Sequence, residues 1–271
     1  MILGTLRFCT VTPCSRKRAF TLIELLVVIS VIAVLMGILM PALSKVRKQA
    51  FSLVCKTNLK SYGTAGMMYL GDNDTKFPSP FTWLHADGEK KGDYDSCAWH
   101  DATYLADGTL WPYLKAEDVH MCPTFKRLSK SVGCQDPEHK DSIPIDPQYS
   151  YSMNCYLGNG RYSVVKKSIS VKNAADILFF SEENTWTIDG LSTYVLNNNN
   201  LLLYPIDGRI PQPGESTQLY NNIATYHKIK GSDLNSGFAN VAFVDGHVGM
   251  GNAADGYYLG IPRGYKPNTD P

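Results

Sequence analysis

One long apolar run dominates the distribution of hydrophobic and polar residues along the chain. The 24 residues from Phe20 to Leu43 carry a single charge, at Glu24. As an α-helix, this run is about 36 Å long, which exceeds the roughly 30 Å hydrocarbon core of a bilayer. Basic residues precede it at Arg16 to Arg18, and three more lie within residues 45–48. We therefore predict a membrane-spanning helix over residues 20–43 rather than a buried core helix.

The spacing of apolar residues changes after Leu43. They recur at three- and four-residue steps, which predicts an amphipathic helix over residues 44–70 whose apolar face packs on a globular domain. The members of that face are Val46, Ala50, Leu53, Leu59, Tyr62, Gly66 and Tyr69. Pro41 lies between the two segments and predicts a kink, because proline cannot donate a helical hydrogen bond.

Residues 71–271 alternate short apolar runs with turn-forming residues, which is typical of a β-rich domain. The predicted strands are Tyr149 to Tyr156, Ile177 to Ser181, Thr193 to Leu196, Leu201 to Tyr204, and Ala239 to Val244. Asp245-Gly246 is a hairpin-turn signal that leads into His247-Val248, and Leu110 to Leu114 predicts a short turn or helix. The predicted fold class is α+β, a long N-terminal helix packed on an antiparallel β-sheet domain.

Charge is unevenly distributed along the chain. Lys and Arg total 26 against 25 Asp and Glu, but residues 1–19 hold four basic residues and no acid. The remainder is slightly acidic, which argues against a nucleic-acid partner.

The basic N-terminal segment does not have the order of a conventional secretory signal. Such a signal places a short apolar run before its cleavage site. Here the small residue Ala19 directly precedes the apolar run. Cleavage between Ala19 and Phe20 would remove residues 1–19 as a leader and leave the membrane helix on the mature protein.

The run Phe20-Thr21-Leu22-Ile23-Glu24-Leu25-Leu26-Val27-Val28-Ile29 resembles the class III signal of type IV pilins and type II secretion pseudopilins. One departure is Ala19, where the family usually has glycine. The resemblance implies cleavage by prepilin peptidase between Ala19 and Phe20, followed by N-methylation of Phe20. It also implies a cytoplasmic N-terminus, a single pass through the lipid bilayer of the inner membrane and an extracytoplasmic globular domain.

Glu24 is the unusual residue of the apolar run, because a charge within a bilayer is costly. The resemblance implies that its carboxylate pairs with the α-amine of Phe20 on a neighbouring pilin-like subunit. The alternative is that Glu24, close to the mature N-terminus, reaches the lipid headgroups. Pilin-like proteins commonly carry a proline at about the position of Pro41.

The second half of the chain resembles prepilin-associated proteins with a motif of His, a nine-residue spacer and Asp-Gly. The matching segments are Cys55 to Lys60, Met121-Cys122-Pro123 and Asn240 to Val248. His227 would be the motif histidine, but 17 residues separate it from Asp245. That longer spacing places a shared role for the histidine in doubt.

Two groups of side chains are weak candidates for metal ligands. His227, Asp245 and His247 offer side chains that bind zinc, but Asp245-Gly246 is first a hairpin turn. Asp72 and Asp74 offer oxygen ligands for calcium, but the rest of the EF-hand pattern is missing and a helix-ending turn is favoured. Glu182-Glu183 is interpreted as a solvated pair at a strand end.

The chain shows none of the common catalytic motifs: no Gly-x-Ser-x-Gly, no phosphate-binding loop and no His-Glu-x-x-His. We expect no enzyme activity and no cofactor.

Removal of the leader leaves five cysteines, Cys55, Cys97, Cys122, Cys134 and Cys155. An oxidising compartment permits disulfides, and Cys122 and Cys134 enclose a short basic loop. We expect these two cysteines to form a disulfide. A cysteine-rich zinc site is the weaker alternative, because the cysteine spacings are irregular.

The interpretation from the sequence is a structural filament subunit, with a type II secretion pseudopilin favoured over a type IV pilus subunit. Its implied partners are prepilin peptidase, other pilin-like subunits, an inner-membrane assembly platform and a cytoplasmic ATPase. The filament would be periplasmic or on the cell surface. The alternative is a membrane-anchored domain that binds a ligand or polysaccharide through Trp83, Trp99, Trp111 and Trp186. An exposed aromatic groove would favour that alternative, and buried aromatics would favour the filament subunit.

Overall fold

The structure is a computed structural model that describes residues 20–85, 98–100, 107–135, 144–196, 199–212, 215 and 217–262. The predicted leader, with Ala19, lies outside the described residues, as does Cys97. The chain forms two compact units, one up to Arg47 and one from Lys48 onward.

The first unit consists of the initial part of helix α1, Leu22–Asp72. Its apolar side chains are solvent-exposed all around the helix, as the run from Phe20 to Leu43 predicts for a segment whose natural surroundings are apolar. By length and composition, α1 can cross a membrane. The hydroxyl of Ser30 donates a hydrogen bond to the Val27 carbonyl (2.8 Å), so this polar group is satisfied within the helix itself.

The second unit begins with the remainder of α1, which buries one face against the globular domain. The buried residues are Cys55, Asn58, Leu59, Tyr62, Gly63, Ala65, Gly66 and Leu70. Leu59, Tyr62 and Gly66 were predicted to lie on this face, and the structure confirms them. Val46, Ala50 and Leu53 are exposed instead, so the buried face begins later than the sequence pattern indicates.

Gly66 lets α1 approach the sheet closely. A Cβ atom at this position would lie 2.5 Å from Cε1 of Phe179, far inside van der Waals contact. The ring of Tyr62, one turn earlier, contacts the rings of Tyr151 and Phe180 with centroids 5.3 Å apart in both pairs. A larger residue at position 66 would therefore disturb the contact between the helix and the sheet.

We expect Gly66→Ala to destabilise the globular unit by about 1–3 kcal/mol, the usual cost of overpacking a core. Gly71→Ala is the matched control, because its Cβ would meet nothing within 4 Å. Alanine favours a helix by up to about 1 kcal/mol over glycine, so the control should be neutral or stabilising. Urea unfolding of the chain in mild detergent, followed by tryptophan fluorescence, measures both. Equal effects of the two substitutions would contradict the close approach at Gly66.

In the described part of the chain, a five-stranded sheet forms in the order β3-β1-β2-β4-β5. The strands are β1 Tyr151–Asn154, β2 Leu178–Glu182, β3 Asn200–Leu201, β4 Ala239–Phe243 and β5 Val248–Gly251. All pairings are antiparallel except β1 with β3, which is parallel, so the sheet is mixed rather than purely antiparallel. Strands β1, β2 and β4 are buried along their whole length.

The predicted strands over β1, β2 and β4 are confirmed, and so is the Asp245-Gly246 hairpin into β5. Gly246 adopts a positive φ of 85°, which a glycine turn residue accommodates without strain. The predicted strand Thr193 to Leu196 is wrong, because this segment is irregular in the structure. The predicted strand Leu201 to Tyr204 overlaps β3 only at Leu201.

Short helices complete the described elements. Helix α2, Pro123–Val132, follows Cys122, and α3, Gly256–Gly260, lies near the end of the described chain. A 3-10 turn at Trp111–Tyr113 confirms the predicted short element there. The architecture is the α+β layout predicted from the sequence, a long N-terminal apolar helix followed by a sheet domain.

Candidate functional site

Helix α1 begins with a reciprocal hydrogen-bonded cap. Thr21 directly precedes the first helical residue, and its Oγ1 accepts from the Glu24 backbone N–H at 3.2 Å. In return, Oε2 of Glu24 accepts from the Thr21 N–H and from the Thr21 hydroxyl, both at 2.8 Å. This is the capping-box arrangement, in which a hydroxyl residue and an acid three positions later satisfy each other's backbone groups.

The capping box was not predicted, although the pattern Thr-x-x-Glu before an apolar run is a recognised signal for it. It means that Glu24 has a local role at the start of α1. One oxygen, Oε1, is left outside these bonds and remains able to accept from a cation. Phe20 is 73% exposed and lies directly before the cap.

Pro41 lies inside α1, and the helix continues through it to Asp72. Because proline has no N–H, the carbonyl of Gly37 four residues earlier loses its helical hydrogen-bond donor. The helix ends in the predicted turn at Asp72 to Asp74, where Asp74 and Thr75 adopt positive φ values.

Asp72 and Asp74 have partners other than a calcium site. The Tyr113 hydroxyl donates to Asp72 Oδ2 at 2.9 Å, and Lys76 Nζ lies 3.4 Å from Asp74 Oδ2. Neither aspartate belongs to a group of three or more metal-ligand side chains among the residues that the structure describes.

The structure does not bring together His227, Asp245 and His247. Asp245 and His247 lie in the β4–β5 hairpin, where Asp245 Oδ1 is 2.6 Å from His247 Nδ1. The His247 ring also stacks on Phe243, with centroids 4.3 Å apart. The hairpin turn accounts for the short distance between these two exposed side chains. His227 lies elsewhere, in the buried cluster described next.

A disulfide joins Cys55 of α1 to Cys122, the residue before α2. The predicted pairing of Cys122 with Cys134 is therefore wrong. The helix positions Cys55 on its buried face, and one turn later Asn58 Nδ2 donates to the Met121 carbonyl at 3.0 Å. That bond holds the segment before α2 against α1, so the two sulfur atoms meet. Cys134 is half-buried near the end of α2.

His227 and Glu182 lie against this disulfide. His227 Nε2 is 3.7 Å from Cys122 Sγ and 3.0 Å from Glu182 Oε1. The four ligand-type atoms of Cys55, Cys122, Glu182 and His227 all lie within 4.8 Å of one another, and all four residues are buried. The interpretation of Glu182-Glu183 as a solvated pair is wrong, since both residues are at most 1% exposed.

Sequence reasoning missed Cys55 and Glu182 as members of this cluster. Glu182 ends β2, and the segment that carries His227 runs beside it, since the Ala224 N–H donates to the Glu182 carbonyl at 2.8 Å. His227 then pairs with Phe238 through two backbone hydrogen bonds as the chain enters β4. Glu182 and His227 come together only because the segment before β4 pairs with the end of β2 in the folded chain.

The neighbouring Glu183 has a different environment. Burial raises the pKa of its carboxyl to about 8. Burial also raises the pKa of the Cys155 thiol, and the nearby Glu183 charge adds to the effect. Both groups lie in the buried interior of the globular unit.

The four tryptophans do not form an exposed groove. Trp83, Trp99 and Trp186 are buried, and the half-buried Trp111 stacks on His120 with centroids 5.9 Å apart. Burial lowers the pKa of His120 to about 4, and the nearby His85 adds to that shift. Trp83, Trp99 and Trp186 therefore belong to the core of the globular unit.

Comparison with known proteins gives one match. Residues 14–40 match the family model of the prokaryotic N-terminal methylation motif. This match supports the resemblance to type IV pilins and pseudopilins, and it supports a prepilin-like N-terminus of the kind that prepilin peptidase cleaves and N-methylates. It does not reach the C-terminal segment with His227 and Asp245. Compared with the curated proteins and with the solved structures, the chain matches none of them.

Proposed function

We propose that the chain is a structural subunit of a pilin-like filament, with a type II secretion pseudopilin as the first choice and a type IV pilus subunit as the second. The observation that carries the proposal is the methylation motif at residues 14–40, whose apolar residues from Phe20 onward are exposed in the described part of the chain. The subunit would act by assembly rather than by catalysis.

The exposed apolar surface of α1 supports this function. Between Phe20 and Leu43, large apolar side chains are 44–80% exposed. A surface of this extent is not stable in water and needs either lipid or other helices around it. Lipid would surround this helix while the precursor is held in the inner membrane. Equivalent helices would surround it once the subunit is packed into the filament.

The globular unit supports assembly over ligand binding. Three of its four tryptophans are buried and Trp111 is half-buried, whereas the membrane-anchored ligand- or polysaccharide-binding alternative would need them at the surface. Through extraction by an inner-membrane platform and a cytoplasmic ATPase, the helices would line the filament interior and the sheet domains would face outward.

Processing gives the first test of this function. We expect the mature chain to begin with N-methylated Phe20, because the basic leader, Ala19 and the apolar run meet at that bond. N-terminal peptide mass spectrometry of the membrane-extracted protein measures this directly. Coexpression with and without a prepilin peptidase is the control. A mature chain that still begins at Met1, with the peptidase present, would contradict the proposal.

A further inference from the structure

The buried cluster of Cys55, Cys122, Glu182 and His227 has the composition of a zinc site. Thiolate sulfur, imidazole nitrogen and carboxylate oxygen are the side-chain ligands that Zn²⁺ prefers. Four such side chains make a closed tetrahedral set, which is the arrangement of structural rather than catalytic zinc. We propose that the reduced protein binds one zinc-class divalent ion through these four residues, so that disulfide and metal are alternative cross-links of the same core.

The distances in the oxidised structure are near those that the ion requires. With zinc–sulfur distances of about 2.3 Å and zinc–nitrogen or zinc–oxygen distances of about 2.0–2.2 Å, tetrahedral ligand atoms lie roughly 3.3–3.8 Å apart. His227 Nε2 is already 3.7 Å from Cys122 Sγ and 3.0 Å from Glu182 Oε1. The two sulfur atoms would separate from their bonded distance of about 2.05 Å. Any ligand pair that now lies near the 4.8 Å limit would move closer together.

The surroundings hold the Glu182 carboxylate in a position to bind. Its Oε2 accepts from the Asn240 backbone N–H at 2.8 Å and from the Asn240 Nδ2 at 3.3 Å. This leaves Oε1 as the oxygen that faces His227 and the sulfur atoms. Outer hydrogen bonds of this kind fix the orientation of metal ligands and increase affinity.

The backbone around the other ligands is also fixed. The Cys122 N–H donates to Ser150 Oγ at 2.8 Å, and the backbone of His227 pairs with Phe238 in both directions. The four ligands come from α1, the start of α2, the end of β2 and the segment before β4. A metal at this point would therefore join α1 to the end of β2 through Glu182, whereas the disulfide joins α1 only to the segment before α2.

A dithiol reductant converts the disulfide form into the dithiol form that binds the metal ion. Its two thiols reduce the protein disulfide, so the reductant becomes a disulfide and Cys55 and Cys122 become thiols. Binding of the ion then displaces one proton from each thiol to solvent. With two thiolates, one carboxylate and a neutral imidazole around a divalent cation, the site carries one net negative charge, beside the two Asn240 donors.

The test is a titration of the full chain in mild detergent with Co²⁺ under anaerobic conditions, before and after reduction. Cobalt is the probe because tetrahedral Co²⁺ with thiolate ligands has intense visible bands and a sulfur-to-metal charge-transfer band. We expect one equivalent to bind the reduced chain and none to bind the oxidised chain. X-ray absorption of the zinc-loaded reduced chain should show two sulfur neighbours at about 2.3 Å.

Two ligand variants and one control variant locate the site. Glu182→Gln and His227→Gln should each weaken Co²⁺ binding by about a hundredfold or more, since even the loss of an outer partner costs 10–100-fold. His247→Ala is the control, because His247 belongs to the exposed hairpin, and it should bind Co²⁺ as the wild type does.

The proposal is overturned if the reduced wild-type chain binds no cobalt with a charge-transfer band, whether or not it stays folded. It is also overturned if His247→Ala loses binding and His227→Gln does not. A reduced chain that regains its near-ultraviolet circular dichroism on addition of zinc supports it. Because these measurements use no filaments, their failure leaves the proposed assembly function untouched.

Discussion

Glu24→Gln should nearly abolish incorporation of the subunit into filaments while leaving cleavage, methylation and membrane insertion intact. In the proposed filament, the Glu24 carboxylate pairs with the α-amine of Phe20 from a neighbouring subunit in a water-poor bundle. Removal of one partner leaves an unpaired buried charge, which costs about 3–5 kcal/mol. That is more than a hundredfold in an association constant. Glutamine keeps the size and an amide oxygen.

The capping box makes glutamine an informative replacement. Glutamine is accepted at this position of a capping box, so Glu24→Gln preserves the start of α1 and removes the charge. Thr21→Val does the opposite, because it keeps Glu24 and removes the hydroxyl that accepts from the Glu24 N–H. Loss of a cap costs about 1 kcal/mol of helix stability.

The two variants therefore separate a role between subunits from a role within the helix. If Glu24 acts by pairing, Glu24→Gln should assemble far less than Thr21→Val, as measured by the amount of subunit in sheared filaments or by rescue of secretion. If Glu24 only caps α1, Thr21→Val should be the more damaging variant. The mass of the mature N-terminus and the amount of protein in the membrane fraction are the controls. Assembly of Glu24→Gln at the wild-type level would disprove the pairing role.

The N-terminal third of the fold could be predicted from the sequence because its determinants are local. An unbroken apolar run specifies a helix that needs an apolar environment, and the three- and four-residue spacing near Leu59, Tyr62 and Gly66 specifies the face that meets the sheet. The beginning of that face was misplaced. Val46 and Leu53 continue the periodic pattern, but both side chains are exposed.

The sheet was predicted where a strand is long and buried and missed where it is short. β2 and β4 each have five buried residues, and their apolar runs are recognisable without context. β3 has two residues and exists through its parallel pairing with β1. No local pattern distinguishes such a strand from the irregular Thr193 to Leu196, which has similar composition but pairs with the chain differently.

The buried cluster could not be predicted, because its members are united only by tertiary structure. Cys122 and Cys134 are near each other in sequence, and α2 between them keeps them apart as a rigid spacer. Cys55 is 67 residues from Cys122, yet the bond from Asn58 to the Met121 carbonyl brings them together. Glu182-Glu183 resembles a solvated pair in sequence, and its burial follows from the segment before β4 that covers it.

Loss of the Cys55–Cys122 disulfide should destabilise the globular unit by about 4 kcal/mol. The bond closes a loop of 67 residues, and the loss of chain entropy in the unfolded state accounts for an effect of this size. The double variant Cys55→Ala/Cys122→Ala removes the bond without leaving a lone thiol. Urea unfolding of the oxidised chain in mild detergent with a chelator present measures the difference in the free energy of unfolding.

Cys134→Ala is the matched control, and it distinguishes between the two pairings. Cys134 lies outside the disulfide seen in the structure, so its substitution should change stability by less than about 1 kcal/mol. Non-reducing peptide mapping of the wild type should recover the peptides of Cys55 and Cys122 as a linked pair. If Cys134→Ala loses as much stability as the double variant, and Cys122 is recovered linked to Cys134, then the disulfide joins Cys122 to Cys134. In that case α1 would be held against the globular domain without a covalent bond, by packing at Tyr62 and Gly66 and by hydrogen bonds such as that of Asn58 to the Met121 carbonyl, and Cys122 would not be available to the proposed metal site.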